Sequence, residues 1–443
     1  MASAAEQLAS NLNFAAFAKA DELKKRIMFT LIALVIYRLG TYIPIPGIDP
    51  QALADVFKQQ QSGILGMFNM FSGGAVGRMA IFALNIMPYI SASIIIQLLT
   101  TVSPTLEQLK KEGEQGRRQI NQYTRYGTVL LATLQGYGIA VGLEGAGNIV
   151  TDPGWFFRIT TVITLVGGTV FLMWLGEQIT ARGVGNGISL IIYAGIVAEL
   201  PAALIGTLEL GRQGALSAGL IIALFIFAVL VIGFIVFMER AQRRLLVQYP
   251  KRQVGNKMFQ GDASHLPLKL NTAGVIPPIF ASSLLLLPIT VANFSAGQGP
   301  EWLNSVTAML GRGQPLYILI YVSLIIFFAF FYTAIVFNPK ETADNLKKYG
   351  GFLPGIRPGE RTAEYIDYVL TRITTVGAIY LAAVCVLPEI LIAEWGVPFY
   401  FGGTSLLIVV SVTMDTVAQI QSHLLAHQYE GLIKKAKLRG RRR

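Results

Sequence analysis

Side chains able to make and break bonds are sparse in this 443-residue sequence. Cys385 is the only cysteine, so neither an intramolecular disulfide nor a thiolate metal cage can form. Three histidines, His265, His423 and His427, are too few and too near the expected membrane edges to build a buried metal centre, which needs several converging ligands. There is no G-x-x-x-x-G-K-[ST] phosphate loop, which excludes ATP hydrolysis by that route. No H-E-x-x-H or nucleophile-elbow motif occurs, and the clear ionisable residues inside apolar runs, Arg38 and Asp415, make no acid/base pair. The sequence reads as a non-enzyme without a cofactor, whose energy must come from a partner or from the membrane potential.

What remains is polar chemistry set inside apolar helices. The run from Arg78 to Leu99 carries Asn85, Ser91, Ser93 and Gln97, with Pro88 at its middle. Amides and hydroxyls are poor company for lipid. This helix is expected to face protein or water, as interhelical glue or as the wall of a path, with Pro88 loosening it in mid-span. Before it lies Ser62 to Gly74, apolar but too short to cross a bilayer. That segment reads either as an interfacial amphipathic helix or as a re-entrant piece inside a protein-lined cavity, hinged by the glycines at both ends.

The elements that must position these groups follow from composition. Hydrophobic residues make up 53% and charged residues only 14%, where soluble chains carry roughly a quarter charged. Lipid is therefore the main solvent. A hydrocarbon core about 30 Å thick needs roughly 20 mainly apolar residues per helix. Ten stretches qualify: 27–43, 78–99, 123–143, 156–175, 188–204, 216–238, 275–292, 316–337, 368–387 and 400–421. An even count puts both termini on one side. With a cytoplasmic N-terminus, 29 of the 36 lysines and arginines lie in cytoplasmic segments, counting Arg125 at the cytoplasmic end of its stretch, and the outer side holds only Lys58, Arg78, Arg158, Arg212 and Arg312. That bias obeys the positive-inside rule, so the net charge of +11 records topology before it records nucleic acid. The first apolar run leads into Pro44-Ile-Pro-Gly47 rather than a small-residue cleavage site, and is expected to stay as the first helix. Three cytoplasmic connections, 101–122, 239–272 and 338–367, are long and basic. Orientation does not require such length, which places binding partners in the cytoplasm.

Several runs, in order along the chain, resemble the SecY family of protein-translocase channels. They are Met67-Phe-Asn-Met-Phe-Ser-Gly-Gly74, Ile86-Met-Pro-Tyr-Ile-Ser-Ala-Ser93, Glu114-Gln-Gly-Arg-Arg118 with Tyr123-Thr-Arg-Tyr-Gly127, Gly185-Asn-Gly-Ile-Ser189, His265-Leu-Pro-Leu-Lys269, Gly274-Val-Ile-Pro-Pro-Ile-Phe280 and Phe352-Leu-Pro-Gly-Ile-Arg-Pro-Gly-Glu360. The resemblance extends from about Lys24 to the basic tail. It implies an all-α membrane protein, with ten transmembrane helices in two inverted five-helix halves around a central hourglass pore and a short re-entrant plug helix. The implied division is a cytoplasmic N-terminal segment (1–26), an N-terminal half (27–215, plug about 62–77), a C-terminal half (216–421, with the cytoplasmic loops 239–272 and 338–367) and a basic cytoplasmic tail (422–443).

The same resemblance implies the working residues. Ile86, Ile90, Ile188, Ile192, Ile279 and Ile408 correspond to the pore ring. Residues four apart share a helix face, so the two pairs could contribute to an apolar collar that excludes water when empty and deforms around a polypeptide. Met67, Phe68, Asn69, Met70, Phe71 and Ser72 correspond to the plug, while Ser91, Ser93 and Gln97 would face Ser282 and Ser283 across a lateral gate. Lys251, Arg252, Lys257 and Arg357 correspond to contacts for the motor ATPase SecA or for ribosomal RNA. Where relatives often carry an arginine pair, this chain has Asn256 and Lys257; Lys lacks the bidentate grip of Arg, and the carry-over is weaker there. The implied partners are SecE, SecG, SecA, a translating ribosome, preprotein signal sequences and the lipid bilayer. The implied location is the bacterial inner membrane, multi-pass, with both termini cytoplasmic. The competing class is a secondary transporter of ions or small solutes, whose coupling usually needs intramembrane ionisable residues; Asp415 lies near the cytoplasmic end of its helix. An intramembrane enzyme would need a nucleophile and base at matching depth, and no such set is found.

Overall fold

The computed structural model describes residues 21–60, 69, 72–145, 149–214, 217–250, 252–254, 257–259, 263–294, 309, 314–395 and 403–440. In chain order the elements are α1 (Asp21–Gly40), α2 (Pro50–Gln60), α3 (Met87–Val102), α4 (Pro104–Lys111), α5 (Glu114–Gly145), α6 (Trp155–Arg182), α7 (Gly187–Arg212) and α8 (Ala218–Arg240). There follow strands β1 (Gln242–Gln248), β2 (Arg252–Val254), β3 (Lys257–Phe259) and β4 (Ala263–Lys269). The last helices are α9 (Ile276–Phe294), α10 (Pro315–Val336), α11 (Pro339–Lys348), α12 (Glu360–Trp395) and α13 (Gly403–Gly440).

Among the described residues seven helices are long and apolar enough to cross a membrane: α5, α6, α7, α8, α10, α12 and α13. The pair α3 and α4, bent by 99°, makes up to eight. Two further expected stretches fall on α1, which carries Lys24, Lys25, Arg26 and Arg38, and on α9. Helix α8 shows what the outer faces meet. Its most apolar window is only 11% buried, and Ile222, Phe225, Ile226, Val229 and Leu230 all point outward. In water that arrangement would be unstable, whereas in lipid it is the solvated surface.

The chain forms two compact units, residues 1–204 with 288–305 and 412–443, and residues 205–287 with 306–411. In the first, α5 packs on α3 and α6. Its apolar core joins Ile45, Leu53, Met79 and Leu84 to Ala132, Ala140, Phe157 and Leu165. Small residues permit the close approach: a Cβ at Gly168 would collide with the carbonyl of Ile81, and one at Gly187 with the carbonyl of Gly176. Lipid gives helices no hydrophobic drive to associate, so contact of this kind, together with hydrogen bonds, must supply the cohesion. Across the turn between α5 and α6, Glu144 is bound to Arg158 at 2.6 Å and to the Gly154 N–H at 3.0 Å.

In the second unit α10 packs on α12. The loops expected at 239–272 and 338–367 fold together there as one small module. Strands β1 and β4 pair antiparallel from Gln242↔Lys269 to Gln248↔Ala263, and Gln248 bridges on to Phe352. Alternate residues Leu245 and Val247 turn inward with Leu268, onto Leu353, Ile366, Val369 and Ile373. A period of two is what a strand buried on one face demands.

The second expected span is corrected. Residues 72–86 form successive turns, with Met79 and Asn85 at φ 43° and 49°, and the helix starts only at Met87. Pro88 therefore lies in the first turn of α3, and no helix is loosened at mid-span. A proline further inside would delete a hydrogen bond and drive its ring against the carbonyl four residues back; at the helix start neither cost arises.

Candidate functional site

In the first unit Ile86 caps the start of α3 at 1% exposure, and Ile90 follows at 6%, its N–H donating to the Ile86 carbonyl at 3.0 Å. On α7, Ile192 is buried and Ile188 half-buried. The loop before Ile188 explains the Gly-Asn-Gly-Ile-Ser run in physical terms. Its backbone donors are satisfied one by one: Val184 N–H by Thr30 Oγ1 (3.0 Å), Gly185 N–H by Gln419 Oε1 (2.9 Å), Gly187 N–H by Thr180 Oγ1 (2.9 Å) and Ile188 N–H by Asn186 Oδ1 (3.1 Å). Gly185 takes φ +89°, a region that favours glycine. Leu23, Val184 and Leu424 seal the same junction with apolar contact. The start of α7, and with it Ile188, is thus pinned to α1, α6 and α13. Neither Thr30 nor Gln419 was singled out from the sequence; a Thr or Gln near a helix end carries no distinguishing signal.

In the second unit Ile279 is half-buried on α9 and Ile408 is 1% exposed on α13. Of the residues expected at a gate, Ser91, Ser282 and Ser283 are buried. Gln97 Nε2 donates to Ser93 Oγ at 3.3 Å while its Oε1 is buried without a hydrogen bond, and Ser282 Oγ donates to the Ile279 carbonyl at 2.9 Å. Met67, Phe68, Met70 and Phe71 lie outside the described residues, as does Lys251. Asn69 and Ser72 are described, and Asn69 Oδ1 accepts from the Gly77 N–H at 2.7 Å. Arg252 pairs with Phe259, and Lys257 with Val254, in the short β2–β3 ladder. Arg357 is exposed in a turn flanked by Gly355 (φ +82°) and Gly359 (φ +108°), its carbonyl held by Thr362 Oγ1 at 2.9 Å. A side chain presented in this way is free to meet a partner.

Of the ionisable residues in apolar runs, Asp415 is exposed on α13, and Arg38 is half-buried against the carbonyl of Gly73. Among the described residues no three His, Cys, Asp or Glu side chains converge as metal ligands.

This helical arrangement is that of solved protein-conducting channels. It matches a structure described as that of a protein conducting channel with TM-score 0.65 and 18% identity, covering 90% of this chain and 92% of that one. It also matches the idle yeast Ssh1 complex bound to the yeast 80S ribosome, with TM-score 0.61, 14% identity and 88% of each chain covered. At such identities the likeness is one of fold. The sequence comparison is closer: the protein translocase subunits SecY of Rickettsia conorii and Escherichia coli K12 are each 59% identical, over 95% of this chain and 98% and 96% of theirs. The model of the SecY family matches residues 80–417. The chain belongs to the SecY family; it is a multi-pass membrane protein of a channel family, not of an enzyme family.

Proposed function

We propose that this chain is the central subunit of the channel that carries unfolded preproteins across the bacterial inner membrane and releases membrane proteins sideways into it. The observation that carries this reading is the 59% identity, over almost the whole chain, to subunits named for protein translocation. On this reading the chain crosses the membrane ten times, the second crossing made with α3 rather than with a helix from Arg78, both termini are cytoplasmic, and the six isoleucines Ile86, Ile90, Ile188, Ile192, Ile279 and Ile408 form the collar. A ring of aliphatic side chains suits the task, since it dewets and blocks ions when empty, yet binds no particular substrate. The segment around 62–77 serves as plug, and Ser91, Ser93 and Gln97 meet Ser282 and Ser283 at a lateral gate. Interhelical contacts of this polarity typically hold with under about 2 kcal/mol each, weak enough for a signal sequence to part.

SecE and SecG complete the complex, and SecA or a translating ribosome drives it from the cytoplasm. Exposed Arg357, together with Lys251, Arg252 and Lys257 of the 239–272 loop, makes the contacts. A secondary transporter is not favoured. The deciding experiment reconstitutes the purified complex in vesicles with SecA, ATP and a preprotein. Protection of the preprotein from added protease supports the channel, and uptake of a small solute without any protein import would refute it.

A further inference from the structure

We propose that a single water molecule is built into the middle of the α5–α6 seam, held between Gln135 of α5 and Thr169 of α6. Both residues lie in the first compact unit, and neither has a part in the collar, plug, gate or cytoplasmic contacts proposed above. The site therefore stands or falls apart from the channel reading.

Threonine in these helices ordinarily bonds to its own backbone. On α6 the hydroxyls of Thr160, Thr164 and Thr180 donate to the carbonyls four residues back, at 2.8, 2.7 and 2.9 Å, and on α5 Thr124, Thr128 and Thr133 do the same. Thr169, at 1% exposure, breaks that habit: its Oγ1 makes no hydrogen bond within the protein, the carbonyl of Leu165 four residues back included. The hydroxyl is thus turned off its own helix and into the packing. Gln135 is 7% exposed, and its Oε1 is buried in the same condition. Hydrocarbon offers such groups nothing. Leaving either one unmet shifts the folding equilibrium about tenfold the wrong way, and one shared partner removes both penalties.

The register of the two helices brings these groups to one depth. Helices α5 and α6 run antiparallel through three rungs: Arg125 to Glu177 at 2.6 Å, Gly136 against Val162 and Leu165, and Glu144 to Arg158 at 2.6 Å. Gln135 therefore stands level with Leu165 and Val166. Thr169 lies three to four residues further, about 5–6 Å along the axis at 1.5 Å per residue. Side chains lean toward the N-terminus of their own helix, so in an antiparallel pair Gln135 and Thr169 lean toward each other. The separation matches two hydrogen bonds end to end, at about 2.9 Å each. Thr161 is also buried with an unmet hydroxyl, but it is one turn the other way and leans away from Gln135.

The chemistry of the pair selects water. An amide oxygen only accepts, whereas a hydroxyl both donates and accepts. Water donates to Gln135 Oε1, accepts from Thr169 Oγ1, and keeps a second hydrogen for the Ile81 carbonyl, which packs on α6 at the adjoining Gly168. Two to four polar partners are what a buried water needs. A hard metal ion would require a larger set of oxygens, and among the described residues no three His, Cys, Asp or Glu side chains converge. Lipid gives α5 and α6 no hydrophobic drive to associate, so the bridge adds a polar tie to the close packing of Ala132 and Ala140 with Leu165.

The test uses the full-length chain in its complex, purified in mild detergent. A map of the unaltered complex that shows ordered water should hold density within hydrogen-bond distance of both Gln135 and Thr169; no density there, or a protein atom in its place, would overturn the site. Chemical unfolding then compares Thr169→Val, Thr169→Ser, Gln135→Met and the double variant Thr169→Val with Gln135→Met. Valine keeps the shape of threonine and methionine the length of glutamine, so neither opens a large cavity. Each of these two single variants should shift the equilibrium about tenfold toward the unfolded chain, and Thr169→Ser should recover most of that. The double variant should be no worse than either single one, because it leaves no polar group unmet. Thr169→Val as stable as the parent, or more so, would show a hydroxyl that had no partner to lose, and single costs that add in full would show two separate contacts; either result overturns the bridge.

Discussion

Replacing Gly187 by alanine tests how Ile188, the first proposed collar residue of α7, is positioned. A Cβ there would overlap the Gly176 carbonyl oxygen and stand 2.8 Å from Ile179 Cβ, where ordinary contact begins at 3.4 Å. The ends of α6 and α7 must then part by at least ~0.6 Å, and further to clear the oxygen. Because Gly187 has no positive φ, the effect is steric and not conformational. Overpacking of this kind costs about 1–3 kcal/mol. Chemical unfolding in mild detergent should show that loss, and resting vesicles should conduct more ions, because Ile188 moves with the helix start. Gly142→Ala is the internal control: nothing lies within 4 Å of its added Cβ, so it should be neutral or stabilise by up to ~1 kcal/mol through helix propensity. If Gly187→Ala unfolds like the parent and stays tight, the close packing of α6 on α7 does not position the collar.

Other consequences can be checked alongside. Arg357→Glu should abolish SecA-driven import while the complex stays folded, since the side chain is exposed and only its carbonyl is bonded within the turn; normal import would remove it from the contact surface. Thr30→Val deletes the hydroxyl that satisfies the buried Val184 N–H, and should cost about 1–3 kcal/mol in unfolding, with Thr30→Ser restoring most of it. Substituting two or more collar isoleucines with serine should wet the constriction and make resting membranes leak ions. Membranes that stay tight would place the seal elsewhere.

Most of the spans were legible because lipid demands long apolar runs, and seven of the helices carry them. The start of the second was not. The uncharged, mostly apolar run from Met79 through Ile96 gives no sign of a break before Pro88, yet two residues at positive φ, Met79 and Asn85, precede the helix, which begins at Met87. Arg38 was legible as an anomaly, a cation in an apolar helix, but its partner was not. That partner is a backbone carbonyl 35 residues on, which any residue type could supply. The same holds for Thr30 and Gln419, whose work is to satisfy N–H groups 154 and 234 residues distant. Side-chain patterns reveal what a helix faces; they do not reveal which distant backbone group a polar residue reaches.

The most direct measurement traps a preprotein midway through the channel and places a photo-reactive amino acid, one position at a time, at Ile86, Ile90, Ile188, Ile192, Ile279 and Ile408, with the lipid-facing Val229 of α8 as reference. All six should crosslink to the stalled chain while Val229 captures lipid. Crosslinks spread over other positions but missing from these six would contradict the collar, and the account built on it would fall.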